Sequence, residues 1–161
     1  KNAEVELEAN SASLRNAKLA NLVGEVLGAK SSTVNEAELE RSVIKNINNS
    51  QFKIRLTKNP ASWRETLATS KLGPKKVLLV VNANTQDGKD TSWLWDVDFT
   101  PLSGREVLVT GERKIDVAAR LTVEGINHEV VADEKAAADI FGASNADIIA
   151  SYTAFHRLAN K

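Results

Sequence analysis

The chain has 161 residues, with 21 basic and 21 acidic side chains, so no overall charge attracts it to nucleic acid or an anionic membrane. It contains no cysteine, which excludes a disulfide framework, a thiolate zinc site and a cysteine nucleophile within these residues. The longest apolar run, Val77 to Val81, is too short to span a bilayer, and the first residues lack a signal-peptide pattern. We therefore expect a cytoplasmic protein. Because the chain begins at Lys1 rather than Met, we also expect a fragment or a processed chain.

Two helices are predicted in the first fifty residues. Residues 11–29 form one amphipathic helix, because a single helical stripe carries Leu19, Leu22, Val23, Val26 and Leu27. A second helix is predicted from Asn35, with an inward face made of Leu39, Val43, Ile44 and Ile47. The polar stretch from Asn48 to Gln51 ends this helix and is a candidate domain boundary.

Strands and helices alternate from Phe52 onward. Apolar and polar residues alternate from Phe52 to Thr57, which predicts a half-exposed strand. Asn59 and Pro60 are typical of an N-cap and a first helical position, in a helix that buries Trp63 and Leu67. The continuous apolar run from Val77 to Val81 predicts a central strand covered on both faces.

The remaining elements continue this alternation. Strands are predicted at Glu106–Thr110, His128–Val131 and Asp147–Ala150, and helices at Arg113–Glu124, after Asp133 and from Tyr152. Parallel neighbours need a crossover connection, and short helices between strands provide it. The predicted fold class is therefore α/β: a Rossmann-like, mostly parallel sheet with helices on both faces, preceded by the N-terminal helices.

The loop of residues 82–99 is the strongest candidate for a functional site. It follows the predicted central strand, and open parallel sheets bind ligands beyond the carboxyl ends of their strands. Its carboxylates could bind a divalent cation, act as a base or simply solvate the loop, and they are Asp87, Asp90, Asp96 and Asp98. Trp93 and Trp95 favour a functional loop, because they must either pack under the sheet or form the wall of a pocket.

Other candidate sites have ordinary structural explanations. Residues 24–31 contain glycines and a lysine but have the wrong spacing for a phosphate-binding loop, and no dinucleotide fingerprint is present. His128 and His156 stand in no recognisable catalytic spacing and are interpreted as ordinary histidines. Asn59 is either a helix cap alone or a cap that also contacts an anion at an exposed helix start.

Four segments together resemble one known family. They are Lys58–Trp63, the Asp-Gly-Lys-Asp-Thr-Ser-Trp-Leu-Trp-Asp run from Asp87 to Asp96, Val107–Arg113 and Ser151–Ala154. In order and spacing, the region from about Phe52 to Arg157 resembles the MurT-type subunit of lipid II isoglutaminyl synthase, in the C-terminal domain of this Mur ligase family. The first fifty residues resemble it more loosely. The resemblance implies that residues 1–50 are the helical tail of a central ATPase domain, or a linker, and that residues 51–161 are the Rossmann-like C-terminal domain.

The resemblance also implies an activity. In this family an ATP-dependent carbon–nitrogen ligase amidates the α-carboxylate of D-glutamate in lipid II to D-isoglutamine, during peptidoglycan synthesis. Ammonia comes from a GatD-type glutaminase subunit, and lipid II is met at the membrane surface. ATP and Mg²⁺ are expected to bind mainly to an upstream domain, whose phosphate-binding loop is not found here, so this chain alone should be inactive.

Residue roles follow from the same resemblance. Asp96 is the first candidate for the carboxylate that orients or deprotonates ammonia, and Asp90 is the second. Asn16 is expected near the nucleotide, Asn59 and Lys58 are candidates for contacts with substrate or an anion, and no metal-ligating residue is expected. The alternative is a non-catalytic Rossmann-like module that docks a partner protein.

Overall fold

The computed structural model of the protein describes residues 12–28 and 41–160. The chain divides into two compact units, Lys1–Arg41 and Ser42–Lys161. In the first unit, helix α1 spans Ala12–Val26 and confirms the first predicted helix. Its apolar stripe is open to solvent, because Leu19 is 55% and Val26 is 79% exposed. Among the described residues, no helix has the length and apolar character needed to cross a bilayer.

The described part of the second unit is built on a six-stranded sheet. The strands are β1 Ser42–Ile47, β2 Ser50–Leu56, β3 Lys76–Val80, β4 Glu106–Thr110, β5 Glu129–Val130 and β6 Asn145–Ala150. Their order across the sheet is β1-β2-β6-β3-β4-β5. β1 pairs antiparallel with β2, and every other pair is parallel. The predicted, mostly parallel α/β sheet is confirmed.

Helices cover both faces of the sheet. They are α2 Pro60–Ser70, α3 Lys114–Val123, α4 Glu134–Phe141 and α5 Tyr152–Ala159. One hydrophobic core joins the sheet to α4 and α5, through side chains such as Phe141 and Phe155. The other core joins the opposite face to α2 and α3, through Trp63 and Leu121, and includes apolar residues of the loop after β3.

The predicted central strand has the expected environment. β3 lies between β6 and β4, and Leu79 pairs with Ile149 on one side and Val109 on the other. Residues Val77 to Val81 are fully buried, because successive side chains point to opposite faces and both faces are covered. The sequence run lacks polar residues for this reason.

The second predicted helix is wrong over residues 42–47, where the chain forms strand β1. Val43, Ile44 and Ile47 are β-branched and fit an extended strand, and Val43 pairs with Ile54 of β2. Ile44, which was predicted to point inward, is 63% exposed. Asn48 takes a left-handed conformation, with φ 51°, in the turn that joins the two strands. The polar stretch there is thus a hairpin turn, and the start of the predicted helix lies outside the described residues.

A buried carboxylate lies on the α2 face of the sheet. Asp147 of β6 is fully buried and accepts a hydrogen bond from the Ser70 hydroxyl at 2.6 Å. The Arg55 Nε lies 3.4 Å from its other oxygen, and Arg105 lies 3.9 Å away. Burial lowers the pKa of Arg105, and the charge of Asp147 opposes that shift. These contacts tie α2 and the two arginine-bearing segments to β6.

We expect Leu79→Ala to lower the free energy of unfolding by about 2 to 5 kcal/mol, because it opens a cavity in a fully buried strand. Denaturant unfolding followed by circular dichroism measures the change. The control is Leu72→Ala, since Leu72 is 93% exposed and should shift stability by no more than about 0.5 kcal/mol. Equal stability of the two variants would contradict a central position for β3.

Candidate functional site at the carboxyl edge of the sheet

The carboxyl ends of four parallel strands meet at one edge of the sheet. β2, β6, β3 and β4 are neighbours in that order and run in the same direction. A polar segment follows each of them: residues 57–59, 151–153, 82–99 and 111–113. The edge therefore gathers residues that are far apart in the sequence, as ligand sites of open α/β sheets do.

The exits of β3 and β4 are held in close contact. The Arg113 backbone N–H donates to the Val81 carbonyl at 2.9 Å. Gly111 lies against the same residue with φ +99°, and a Cβ built there would be 2.5 Å from the Val81 carbonyl oxygen. Only glycine fits this position without moving backbone. The two loops therefore start from fixed points.

Asn82 links three strand ends. Its backbone N–H donates to the Ser151 hydroxyl at 3.0 Å, beyond β6. Its side-chain oxygen accepts from the Glu112 backbone N–H at 3.1 Å, beyond β4, and its amide nitrogen donates to the Thr153 hydroxyl at 3.1 Å. Asn82 itself follows β3, so this one residue fixes the start of the long loop against the segments that follow β4 and β6.

Asp87 joins the long loop to the first turn of α5. One carboxylate oxygen accepts from the Thr153 backbone N–H at 2.8 Å. The other accepts from the Thr153 hydroxyl at 2.5 Å and from the Asn84 backbone N–H at 3.1 Å. A negative charge at a helix start also interacts favourably with the helix dipole. Asp87 is one of four carboxylates in the loop, and the sequence alone could not indicate its partner, which is 66 residues away.

Asp90 and Asp98 each accept hydrogen bonds from the residue two positions later, where a short 3₁₀ turn starts. Asp90 accepts from the backbone N–H and the hydroxyl of Ser92, at 2.8 and 3.0 Å, where a 3₁₀ turn begins at Ser92–Asp96. The Ser92 backbone hydrogen bond, and then its hydroxyl, lower the pKa of Asp90. Asp98 binds Thr100 in the same way, and the Thr100 hydroxyl is the main cause of the lowered pKa of Asp98. Both groups are carboxylates at neutral pH, and both have local structural roles.

The second half of the loop follows α3 away from the carboxyl edge. Thr91 donates to Asp116, in the first turn of α3, at 3.4 Å. The Phe99 backbone N–H donates at 2.8 Å to Glu124, just beyond the last turn. Between them, Arg120 donates to the Val97 carbonyl at 3.0 Å. Asp96 therefore lies in the part of the loop that follows α3 beyond its first turn, whereas Asp90 directly precedes Thr91, which contacts that first turn.

The side chain of Asp96 is exposed, and within the described part of the chain it makes no hydrogen bond or ion pair. Its neighbour Trp95 is 59% exposed, with the Arg120 guanidinium 5.4 Å from the ring centre. Trp93 instead turns inward and lies 6.1 Å from Trp63 of α2. The two tryptophans thus have different roles: Trp93 packs under the loop, and Trp95 forms a surface beside Asp96.

Lys58 and Asn59 lie at the same edge, after β2. Asn59 caps α2 by accepting from the Ser62 backbone N–H at 3.0 Å, and the Asn59 backbone N–H donates to the Ser62 hydroxyl at 3.1 Å. The ammonium of Lys58 lies 4.4 Å from the ring centre of Tyr152, the first residue of α5. Lys58 and Asp87 therefore both contact the first turn of α5. Asn59 also has a complete structural role as a cap.

The other candidate residues belong to other elements of the structure. Asn16 is exposed on α1, in the first unit. The His156 ring packs edge-on against Tyr152, with ring centres 4.3 Å apart, and the Nδ1 of His128 lies 2.9 Å from the Ile126 carbonyl. Neither histidine has a catalytic partner among the contacts of the described residues.

The described residues do not build a metal site at this edge. No group of three or more acidic or histidine side chains in residues 12–28 and 41–160 is arranged to hold a metal ion. Asp87, Asp90 and Asp98 are each occupied by hydrogen bonds to neighbouring residues. Residues 24–28 end α1 and do not wrap a phosphate, so this part of the chain does not fit the nucleotide's phosphates or Mg²⁺.

Comparison with known proteins finds one family whose domain contains all four segments at the carboxyl edge. The model of the family described as MurT ligase C-terminal matches residues 56–155. The chain belongs to this family. The match includes Asn59, the whole loop of residues 82–99 and Thr153, so the carboxyl edge is part of the family's shared domain.

Two curated relatives carry the same name, lipid II isoglutaminyl synthase (glutamine-hydrolyzing) subunit MurT. The one from Streptococcus pneumoniae is 31% identical over 156 residues, which covers 86% of this chain and 35% of the relative. The one from Staphylococcus aureus strain COL is 33% identical over 85 residues, which covers 50% of this chain and 20% of the relative. The chain thus spans about a third or less of their length.

The fold also matches a solved structure. Folylpolyglutamate synthase from Thermotoga maritima superposes with a TM-score of 0.51 at 19% identity, covering 91% of this chain and 37% of that one. At this identity the match concerns the fold alone.

We expect Asn59→Ala to lower the free energy of unfolding by about 1 kcal/mol, because the first turn of α2 loses its cap. Asn59→Asp keeps an oxygen acceptor at the same place and should stay close to the wild type. Thermal and denaturant melts of the three proteins measure the difference. If the alanine variant were as stable as the aspartate variant, the cap would not explain why asparagine stands here.

Proposed function

We propose that this chain is part of an ATP-dependent carbon–nitrogen ligase that amidates the α-carboxylate of D-glutamate in lipid II, forming D-isoglutamine for peptidoglycan. The names of the two MurT relatives support this reaction. The observation that carries the proposal is the long loop that starts at the carboxyl edge: it presents Asp90 and Asp96 to solvent, on a backbone that is attached at Asp87 and at Phe99.

The proposed reaction has two steps. ATP transfers its γ-phosphoryl group to the α-carboxylate, giving an acyl phosphate and ADP. Ammonia then attacks the acyl carbon, a C–N bond forms, and the C–O bond to phosphate breaks with its electron pair leaving on phosphate. The nitrogen loses one proton to a base. Because the described residues offer no phosphate cradle, we assign them to the second step and place ATP and Mg²⁺ mainly on a further domain.

A carboxylate suits the ammonia step for two reasons. It attracts ammonium, which is the main form at neutral pH, and it can remove a proton and align the lone pair toward the acyl carbon. Asp96 is the first candidate because its carboxylate is exposed and has no hydrogen bond or ion pair among the described residues. Asp90 is the second: it is nearer to the edge, but Ser92 occupies its oxygens and weakens it as a base.

Basic and amide groups on the other side of the edge suit the anionic substrate. The Lys58 ammonium can attract a carboxylate or phosphate, and Asn59 stands at the exposed start of α2, where the helix dipole favours negative charge. We propose that both contact the substrate. Asn16 is proposed to lie near the nucleotide.

We further propose that ammonia comes from a GatD-type glutaminase subunit and that the complex works in the cytoplasm, on lipid II at the membrane surface. The words "glutamine-hydrolyzing" and "subunit" in the names of the relatives support a glutaminase partner. The competing function is a non-catalytic docking module, which would need neither a free carboxylate nor a nucleotide.

Asp96→Asn in the full-length chain with its glutaminase partner is expected to reduce lipid II amidation about a hundredfold, since the variant loses a base and a negative charge. Amidated lipid II is quantified by mass spectrometry, and the melting temperature is measured on the same sample. The control is Glu129→Gln, which makes the same charge change at an exposed residue of β5.

Near-normal amidation by Asp96→Asn would remove Asp96 from the mechanism and make Asp90→Asn the next variant to measure. Normal turnover in both would leave the loop without a catalytic carboxylate at these positions. A docking module predicts that neither variant changes amidation, provided that the partner still binds.

A further inference from the structure

The Thr153 hydroxyl is the meeting point of three loop side chains. It donates to Asp87 at 2.5 Å and accepts from the side-chain amides of Asn82 at 3.1 Å and Asn84 at 3.3 Å. A hydroxyl has one proton to donate and two lone pairs to accept with. All three are therefore used, and all three partners belong to the first six residues of the loop.

These hydrogen bonds of the Thr153 hydroxyl, called the Thr153 node below, join the first half of the loop to the first turn of α5. Thr153 is in the first turn of α5, which the Ser151 backbone N–H ties to the Val80 carbonyl at 2.9 Å. Asp87 also accepts from the Thr153 backbone N–H, so its carboxylate is held by both polar groups of one residue. The loop's first half thus has a rigid support, while Asp90 and Asp96 follow it in the sequence.

We propose that Thr153 is a positioning residue: its hydroxyl, through Asp87, Asn82 and Asn84, sets the place of the first half of the loop, and with it the position of Asp90 and of the stretch that leads to Asp96, relative to the reacting acyl group. This inference rests on the proposed function. Thr153 and Asp87 touch no reactant in this account. Their effect on turnover comes from geometry, and misplacing a reactive group by about 1 Å can cost up to about a hundredfold in rate.

Thr153→Val and Thr153→Ser test the hydroxyl directly. Valine has the shape of threonine but removes the hydrogen bonds that Asp87, Asn82 and Asn84 make to the hydroxyl, whereas serine keeps them. In the full-length chain with its glutaminase, amidation is measured with glutamine and with ammonium chloride. We expect Thr153→Val to lose about tenfold to a hundredfold in kcat, with an unchanged KM for ATP, and Thr153→Ser to recover most of it.

Thr69→Val is the matched control. Among the described residues, the Thr69 hydroxyl donates only to carbonyls of its own helix α2, at 3.1 Å to Glu65 and 3.0 Å to Thr66, so the same substitution should leave kcat unchanged. Asn84→Ala is a second variant in case Thr153→Val does not fold. Asn84 is exposed, and its loss should lower kcat several-fold without changing the melting temperature by more than a few degrees.

The outcomes separate the two proposals. No amidation by the wild-type complex overturns the proposed function, and this inference with it. If the wild type amidates lipid II and Thr153→Val or Asn84→Ala does so equally well, the positioning role alone is overturned. It is also overturned if serine fails to restore turnover, or if Asp87→Asn is inactive while Thr153→Val is normal, because Asp87 would then act on the reactants directly.

Discussion

The parallel pairing of β2, β6, β3 and β4 is the constraint on which the rest of this structure depends. Parallel strands end together, so the pairing brings four polar segments to one edge although they are separated by up to about ninety residues in the sequence. The edge is then fixed by groups with little freedom: Gly111 lies against the Val81 carbonyl, and Asn82 contacts the exits of β4 and β6. These contacts hold the polar segments after β3, β4 and β6 in fixed positions relative to one another, which allows a candidate site to form there.

The long loop combines this rigid start with a different second half. Up to Asp87 it is bonded to α5, and from Thr91 to Phe99 it is bonded along α3 and contributes Leu94, Val97 and Phe99 to the core. Asp90 lies between these two attached stretches. The loop is therefore attached to the domain on both sides of Asp90, and its exposed carboxylates project from a fixed backbone. A fixed backbone suits a group that must hold a small reactant in place.

Much of the fold could be predicted from the sequence, because in those elements the local residue pattern agrees with the tertiary structure. The unbroken run at Val77 to Val81 and the cap at Asn59 are signals carried by adjacent residues. β1 was missed because Val43 and Ile47 are four residues apart, a spacing that fits a helix, while the pairing with β2 depends on a hairpin turn. The Thr153 node could not be predicted, since its partners lie 66 to 71 residues away.

The central claim is that the carboxyl edge of the sheet faces the reacting carboxylate. The most direct measurement is a structure of the full-length chain with its glutaminase, a non-hydrolysable ATP analogue and a lipid II stem-peptide analogue, read for the position of the D-glutamate α-carboxylate. We expect this group to lie beyond the carboxyl ends of β3 and β6, beside the loop of residues 82–99, with Asp90 or Asp96 within hydrogen-bond reach of the ammonia position, directly or through one water. An α-carboxylate at the opposite edge, beside Gln51 and Asn145, would contradict it.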